Sequence, residues 1–206
     1  MKQDDVLARF IAPLRDLCAW LGEDGIPHAI IGGVAASLLG RPRATRDIDA
    51  VVMMDEEEWA TFLDEAEKHG FPPREKNSLA FALKSRVFLL QHKDHGINVD
   101  ISLGALPFEQ EVIARAVRIR IEDVDVRLAT PEDLIVMKSL AMRPHDITDI
   151  ESLLDANRKL DLTRVRRWVG ALAGALDTPE IAERLETVLT AWQQSRSPGS
   201  QPKKES

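Results

Sequence analysis

Apolar positions recur along this chain with two different periods, and the change of period separates its halves. Between residues 4 and 22, Leu7, Phe10, Ile11, Leu14, Leu17, Cys18 and Leu21 fall at helical spacing, which predicts an opening amphipathic helix ended by Gly25 and Pro27. "HAII" then reads as a short strand running into Gly32-Gly33, and "VAASLLG" as a helix stopped by Gly40 and Pro42. "IDAVVMM" is rich in β-branched residues and predicts a second strand. Residues 55 to 69 predict a helix whose first turn, "DEEE", suits the positive end of the helix dipole. Two further strands, "RVFLLQH" and "INVDISL", are joined by "KDHG", and a short helix is expected around residues 107 to 116. "VRIRI" and "VDVRL" alternate about Glu122-Asp123, as a hairpin or as consecutive edge strands.

From Thr130 the period becomes helical throughout. Thr130 as N-cap, Pro131 at the first position and Glu132-Asp133 in the first turn announce a helix. Helical spacing continues to Ser195, with breaks near Pro144, near "KLDLT" and at Asp177-Thr178-Pro179. The final "SRSPGSQPKKES" is polar and rich in Pro, Gly and Ser, the composition of a disordered tail. The expected fold class is therefore α/β (α+β). A small mixed β-sheet flanked by helices occupies residues 1–129, a helical bundle 130–194 and a tail 195–206.

Composition narrows this picture. At 206 residues with 44% hydrophobic and 30% charged positions, the chain can bury a sizeable core and reads as globular. No apolar run approaches the ~20 residues of a membrane span. The acidic start "MKQDDVLARF" lacks a signal-peptide core, so a cytoplasmic location is expected. The single cysteine, Cys18, allows no internal disulfide and reads as a small core residue. A net charge of −7 disfavours whole-surface binding along a duplex but leaves local patches free to act. Of two basic clusters, Arg164, Arg166 and Arg167 read as a solvated helix face. Arg41, Arg43 and Arg46 lie between a glycine pair and two carboxylates, a less ordinary place.

That stretch, "IIGGVAASLLGRPRATRDIDAVV", carries the candidate chemistry. A strand, Gly32-Gly33 and a helix in succession expose backbone N–H groups at a helix N-terminus, a generic phosphate site. Asp47 and Asp49, at i and i+2 on a strand, share one face while Ile48 takes the other. Two anions that close repel unless a cation lies between them, and such oxygen ligands suit magnesium. "NVDIS" sets Asp100 within an apolar strand, where a carboxylate needs compensation or an exposed edge. Beside Asp47 and Asp49 it would complete a three-carboxylate cage for two divalent ions, an arrangement able to clamp an in-line displacement at phosphorus.

Gly32-Gly33, thirteen intervening residues, Asp47-Ile48-Asp49 and the later Val99-Asp100-Ile101 together resemble the DNA polymerase β-like nucleotidyltransferase superfamily. "RPRATRDID" is similar to the R-x-T/S-x-D-I-D form of AbiEii-type nucleotidyltransferases, toxin components of abortive-infection systems. "ATPEDLIVMKSLAMRPHDITDIESLL" resembles their K-x-x-A stretch and D-x-x-D helix through Lys138, Ala141, Asp146 and Asp149.

The resemblance implies transfer of a nucleoside monophosphate from a triphosphate to an acceptor hydroxyl, with pyrophosphate released. It implies nucleotide contacts from Gly32, Gly33, Arg43, Thr45, Arg46 and Asp146, and a phosphate contact from Lys138. Asp47, Asp49 and Asp100 would ligate two Mg2+ ions, with Mn2+ able to substitute. The AbiEii likeness further implies tRNA or a protein as the expected acceptor, and a cognate antitoxin as an expected partner. The alternatives are a small-molecule acceptor of the antibiotic-modifying kind and a silent nucleotide-binding module. Two departures stand out: Gly33 replaces a common serine, and His145 a lysine.

Overall fold

The computed structural model describes residues 3–196. Its core is a six-stranded mixed sheet in the order β3-β4-β2-β1-β6-β5, so the expected fold class is the observed one. The strands are β1 (His28–Ile31), β2 (Asp47–Val52), β3 (Val87–Gln91), β4 (Asn98–Leu103), β5 (Val117–Ile121) and β6 (Val124–Leu128). Helices α1 (Gln3–Glu23), α2 (Gly32–Leu39), α3 (Trp59–Lys68), α4 (Ser78–Ser85) and α5 (Pro107–Arg115) are interleaved with them. Then follow α6 (Pro131–Ala141), α7 (Pro144–Ala156), α8 (Leu162–Ala175) and α9 (Glu180–Arg196).

Two pairings position everything that matters for function. β1 runs antiparallel to β2, with Ile31 opposite Asp49, and this brings the start of α2 against the first acidic strand. β2 runs parallel to β4, with Asp49 opposite Asp100. β4 alternates without interruption: Val99, Ile101 and Leu103 are buried, while Asn98, Asp100 and Ser102 are only partly covered. Ile48 and Ala50 on β2 are fully buried. Burying each of the larger side chains, Ile48, Val99, Ile101 and Leu103, contributes about 1.5–3 kcal/mol, and a one-residue slip would turn all of them outward. The apolar period therefore fixes the register, and the register fixes the carboxylates. β5 and β6 form the antiparallel hairpin of the two expected options, with Glu122 in the left-handed region at its turn.

The helical half is built around α6. Leu134, Ile135, Val136, Lys138 and Ser139 are all buried, so α6 is covered on nearly every side, with α2, α7, α8 and α9 against it. Its start is as expected: the Thr130 side chain accepts from the Asp133 N–H at 3.3 Å. One buried apolar cluster runs without a break from the sheet into α6–α9.

The structure corrects several local expectations. β2 ends at Val52, and Met53 and Met54 lie beyond it. The helix expected over 55–69 is preceded by a 3₁₀ turn, Glu56–Glu58, held by Glu58 accepting from the Asp55 N–H, and α3 starts at Trp59. Helix α4 has no counterpart in the sequence reading, because "SLAFALKS" places apolar residues on every side and shows no helical stripe. Arg164 is not a solvated residue. It is buried and donates to Asp133 Oδ1 at 2.8 Å, with Glu111 as a second partner. Ser195 and Arg196 belong to α9, and the rest of the expected tail lies outside the described residues. Among the described residues, no helix is long and apolar enough to cross a membrane.

Candidate active site

A cleft of about 550 Å³ opens between the sheet and the helical half. Gly32, Gly33, Arg43, Thr45, Arg46, Asp47 and Asp49 line one side, and Lys138, Arg143, His145 and Asp146 the other. Nine of the ten residues expected at the site therefore meet in one place. The tenth, Asp100, sits one strand outward.

The glycine turn is built around Asp49. Gly32 adopts φ +65°, and a Cβ there would collide with the Asp49 carboxylate. The Gly33 N–H points to Asp49 Oδ2 at 3.4 Å. The start of α2 thus leans on a carboxylate of the chain itself, a contact the sequence reading reserved for phosphate. A Cβ at Gly33 would in turn strike the Thr45 hydroxyl. This accounts for glycine where serine is common: Thr45 fills that space. Thr45 is buried and its hydroxyl donates to the Asp47 carbonyl at 3.5 Å.

Parallel pairing sets Asp49 and Asp100 side by side on the face that also carries Asp47. The expected three-carboxylate cage is nevertheless not assembled among the described residues, because Asp100 is ion-paired with Arg74. Three neighbouring anions repel, and Arg74 neutralises the outermost. Arg74 is held in turn by donating from Nε to the Leu90 carbonyl at 3.0 Å.

The opposite wall is a buried ion network. Arg43 grips Asp149 with two nitrogens, Nη2 at 2.7 Å from Oδ2. Lys138 Nζ lies 2.6 Å from Asp149 Oδ2 and 3.3 Å from Asp146 Oδ1. Arg143 donates from Nε to Asp146 Oδ2 at 2.7 Å and from its backbone N–H at 3.1 Å. Asp146, expected to touch nucleotide, lines the cleft, and its fully buried carboxylate binds Lys138 and Arg143. The sequence reading missed Arg143, although its spacing of three from Asp146 at a helix start was a usable signal.

A family of nucleotidyltransferases of unknown function, DUF6036, matches residues 21–197. This chain belongs to that nucleotidyltransferase family. No curated protein is significantly similar to it in sequence. In fold it is similar to an antigenic nucleotidyltransferase-like protein from Paracoccidioides brasiliensis, at TM-score 0.52 and 20% identity over 85% of this chain and 91% of that one. It is also similar to the antibiotic-resistance factor ANT(2'')-Ia, at 0.54 and 21% over 82% and 94%. The lincosamide antibiotic adenylyltransferase LnuA matches at 0.50 and 16% over 68% and 94%.

Electrostatically the two walls of this nucleotidyltransferase differ. Burial, followed by repulsion from Asp47, pushes Asp49 up to about 6. Asp100 is also raised, by burial first and by Asp47, against the opposing pull of Arg74. Burial acts on Asp146 and Asp149 in the same direction, but donors from Arg143, Arg43 and Lys138 outweigh it and hold both below the ordinary carboxylate range. Cys18 takes no part: burial pushes its thiol up to about 12.

Proposed function

We propose that this nucleotidyltransferase moves a nucleoside monophosphate from a nucleoside triphosphate to an acceptor hydroxyl, releasing pyrophosphate. The observation that carries the reading is the register of β1, β2 and β4, which sets three carboxylates of unequal compensation beside a cleft with a cationic far wall.

The residues fit a divalent cation. Asp49 is a half-buried carboxylate on which repulsion from Asp47 and Asp100 acts against the attraction of Lys138, and hard oxygen donors on one face are what magnesium takes. Asp47 and Asp49 would hold an ion bound to the triphosphate, and Asp49 with Asp100 a second once Arg74 gives up its pair with Asp100, Mg2+ being the natural choice and Mn2+ a substitute. When bound, these ions neutralise charge on the phosphates and lower the pKa of the acceptor hydroxyl.

The chain's own groups do the rest. Lys138, Arg143, Arg43 and Arg46 present positive charge to the triphosphate, and the acidic partners of the first three fix where those charges stand. Asp146 and Asp149 act as positioning residues. The acceptor oxygen bonds to the α-phosphorus as the bond to the bridging oxygen of pyrophosphate breaks, and the acceptor proton passes to a neighbouring carboxylate or to water. The site is thus positioning and charge neutralisation, with no covalent intermediate required.

The R-x-T-x-D-I-D form of Arg43, Thr45, Asp47 and Asp49 supports an AbiEii-like member with a macromolecular acceptor. The likeness to ANT(2'')-Ia and LnuA, at 21% and 16% identity, is one of fold and leaves the acceptor to the chain's own surface. The test is incubation with labelled nucleoside triphosphates, magnesium and total cellular RNA or protein. Label transfer is expected with wild type and not with Asp47→Ala or Asp49→Ala. Equal transfer by those variants would refute the reading.

A further inference from the structure

The carboxylates divide two concavities. On one side lies the cleft of Gly32, Arg43 and Lys138. On the other, beyond β4 and the edge strand β3, a second groove of about 580 Å³ is lined by residues that include Arg74, Glu75, Lys76, Asn77, Phe81 and Lys84. Arg74 joins the two, since it lines this groove and pairs with Asp100.

We infer that this groove is the acceptor subsite and that it recognises an acceptor carrying a phosphate close to its reacting hydroxyl. The inference rests on the nucleotidyltransferase reading above and names its second substrate. In an in-line displacement the attacking and leaving oxygens lie on opposite sides of phosphorus. With the pyrophosphate side held by Lys138 and Arg43, attack comes from the Asp100 side, and the body of the acceptor falls across β3 onto α4. Arg74, Lys76 and Lys84 stand there against Glu75 and the Arg74-bound Asp100, and neither Lys76 nor Lys84 has an acidic partner among the described residues. Phe81 is 39% exposed beside them, an apolar face for a base or sugar. Such a groove attracts a phosphate and repels a polycation such as an aminoglycoside. A phosphate arriving beside Asp100 also offers Arg74 an alternative partner, which frees that carboxylate for the reaction.

The test uses the full chain, magnesium and labelled ATP, GTP, CTP or UTP. Four acceptors are compared: a short single-stranded RNA with a free 3′-hydroxyl, adenosine 5′-monophosphate, unphosphorylated adenosine and kanamycin. Label on the RNA alone identifies a polynucleotide end, label on the monophosphate as well identifies a small phosphorylated acceptor, and both support the inference. Changing Lys76→Glu together with Lys84→Glu should raise the acceptor KM about tenfold and leave triphosphate binding, read by calorimetry, unchanged. Preferred labelling of adenosine or kanamycin, an unchanged acceptor KM, or no labelling of either phosphorylated probe while triphosphate still binds would overturn the acceptor assignment and spare the enzyme. Failure to bind any triphosphate would instead overturn the reading beneath it.

Discussion

The two walls of the cleft treat their carboxylates in opposite ways. On the helical wall, Asp146 and Asp149 are sealed from solvent and saturated by Lys138, Arg43 and Arg143, so both are held ionised. On the sheet wall, Asp47, Asp49 and Asp100 crowd one face, Arg74 is paired with Asp100, and Asp49 is pushed up to about 6 despite the attraction of Lys138. A satisfied network fixes geometry, whereas an unsatisfied one has affinity to spare. The helical wall positions charge; the sheet wall is left to take it up.

Substitutions should split along the same line. Asp49→Asn keeps the shape against Gly32 and an oxygen for the Gly33 N–H but removes the charge, so transfer should fall about 10²–10³-fold or more while the melting temperature holds or rises. A large loss of stability in that variant would mean that Asp49 is structural. Asp149→Ala does the reverse. It strands Lys138 and Arg43 without their shared partner, and breaking a buried pair of this kind costs roughly 3–5 kcal/mol, measurable by urea denaturation. A near-neutral result would show the helical wall to be less closed than its geometry implies.

A smaller effect separates the walls by pH. The folded-state pKa of Asp49 is raised, so the folded protein binds an extra proton between the ordinary carboxylate pKa and about 6. Its contribution is therefore favourable at low pH and is lost as pH rises through about 6. Wild type should lose stability relative to Asp49→Asn across that window in metal-free buffer, and magnesium should erase the difference. A gap independent of pH would contradict the raised pKa. Asp146 and Asp149 carry the opposite sign, their stabilisation being lost as acid protonates them. The smallest change is expected at Arg166→Ala, which breaks an exposed pair with Glu186 and should cost under about 1 kcal/mol with activity intact.

How much could be read in advance follows from what each feature depends on. Asp47, Asp49 and Asp100 were legible because strand alternation dictates which face a residue takes, and apolar neighbours such as Ile48 and Val99 set the phase. Gly32 was legible as a turn, but the presence of its own carboxylate against that turn depends on the antiparallel register of β1 and β2, which no local pattern encodes. Asp149 was visible as a helix residue, yet its burial comes from Arg43, 106 positions away in sequence. Arg74 stands in "FPPREK" with nothing periodic around it, and only the folding of that segment over β3 brings it to Asp100. Arg164 misled because an arginine on an amphipathic helix normally points to water, and its partner Asp133 belongs to a helix start that reads as complete without it.

The central claim is that the sheet wall holds its acidic residues for a divalent cation arriving with nucleotide. Calorimetric titration of magnesium and nucleoside triphosphate into wild type and Asp49→Asn, well above the Asp49 pKa of about 6, addresses it most directly. Magnesium-dependent binding by wild type and its loss in the variant is the predicted result. Equal affinity for both proteins, with or without the metal, would contradict it.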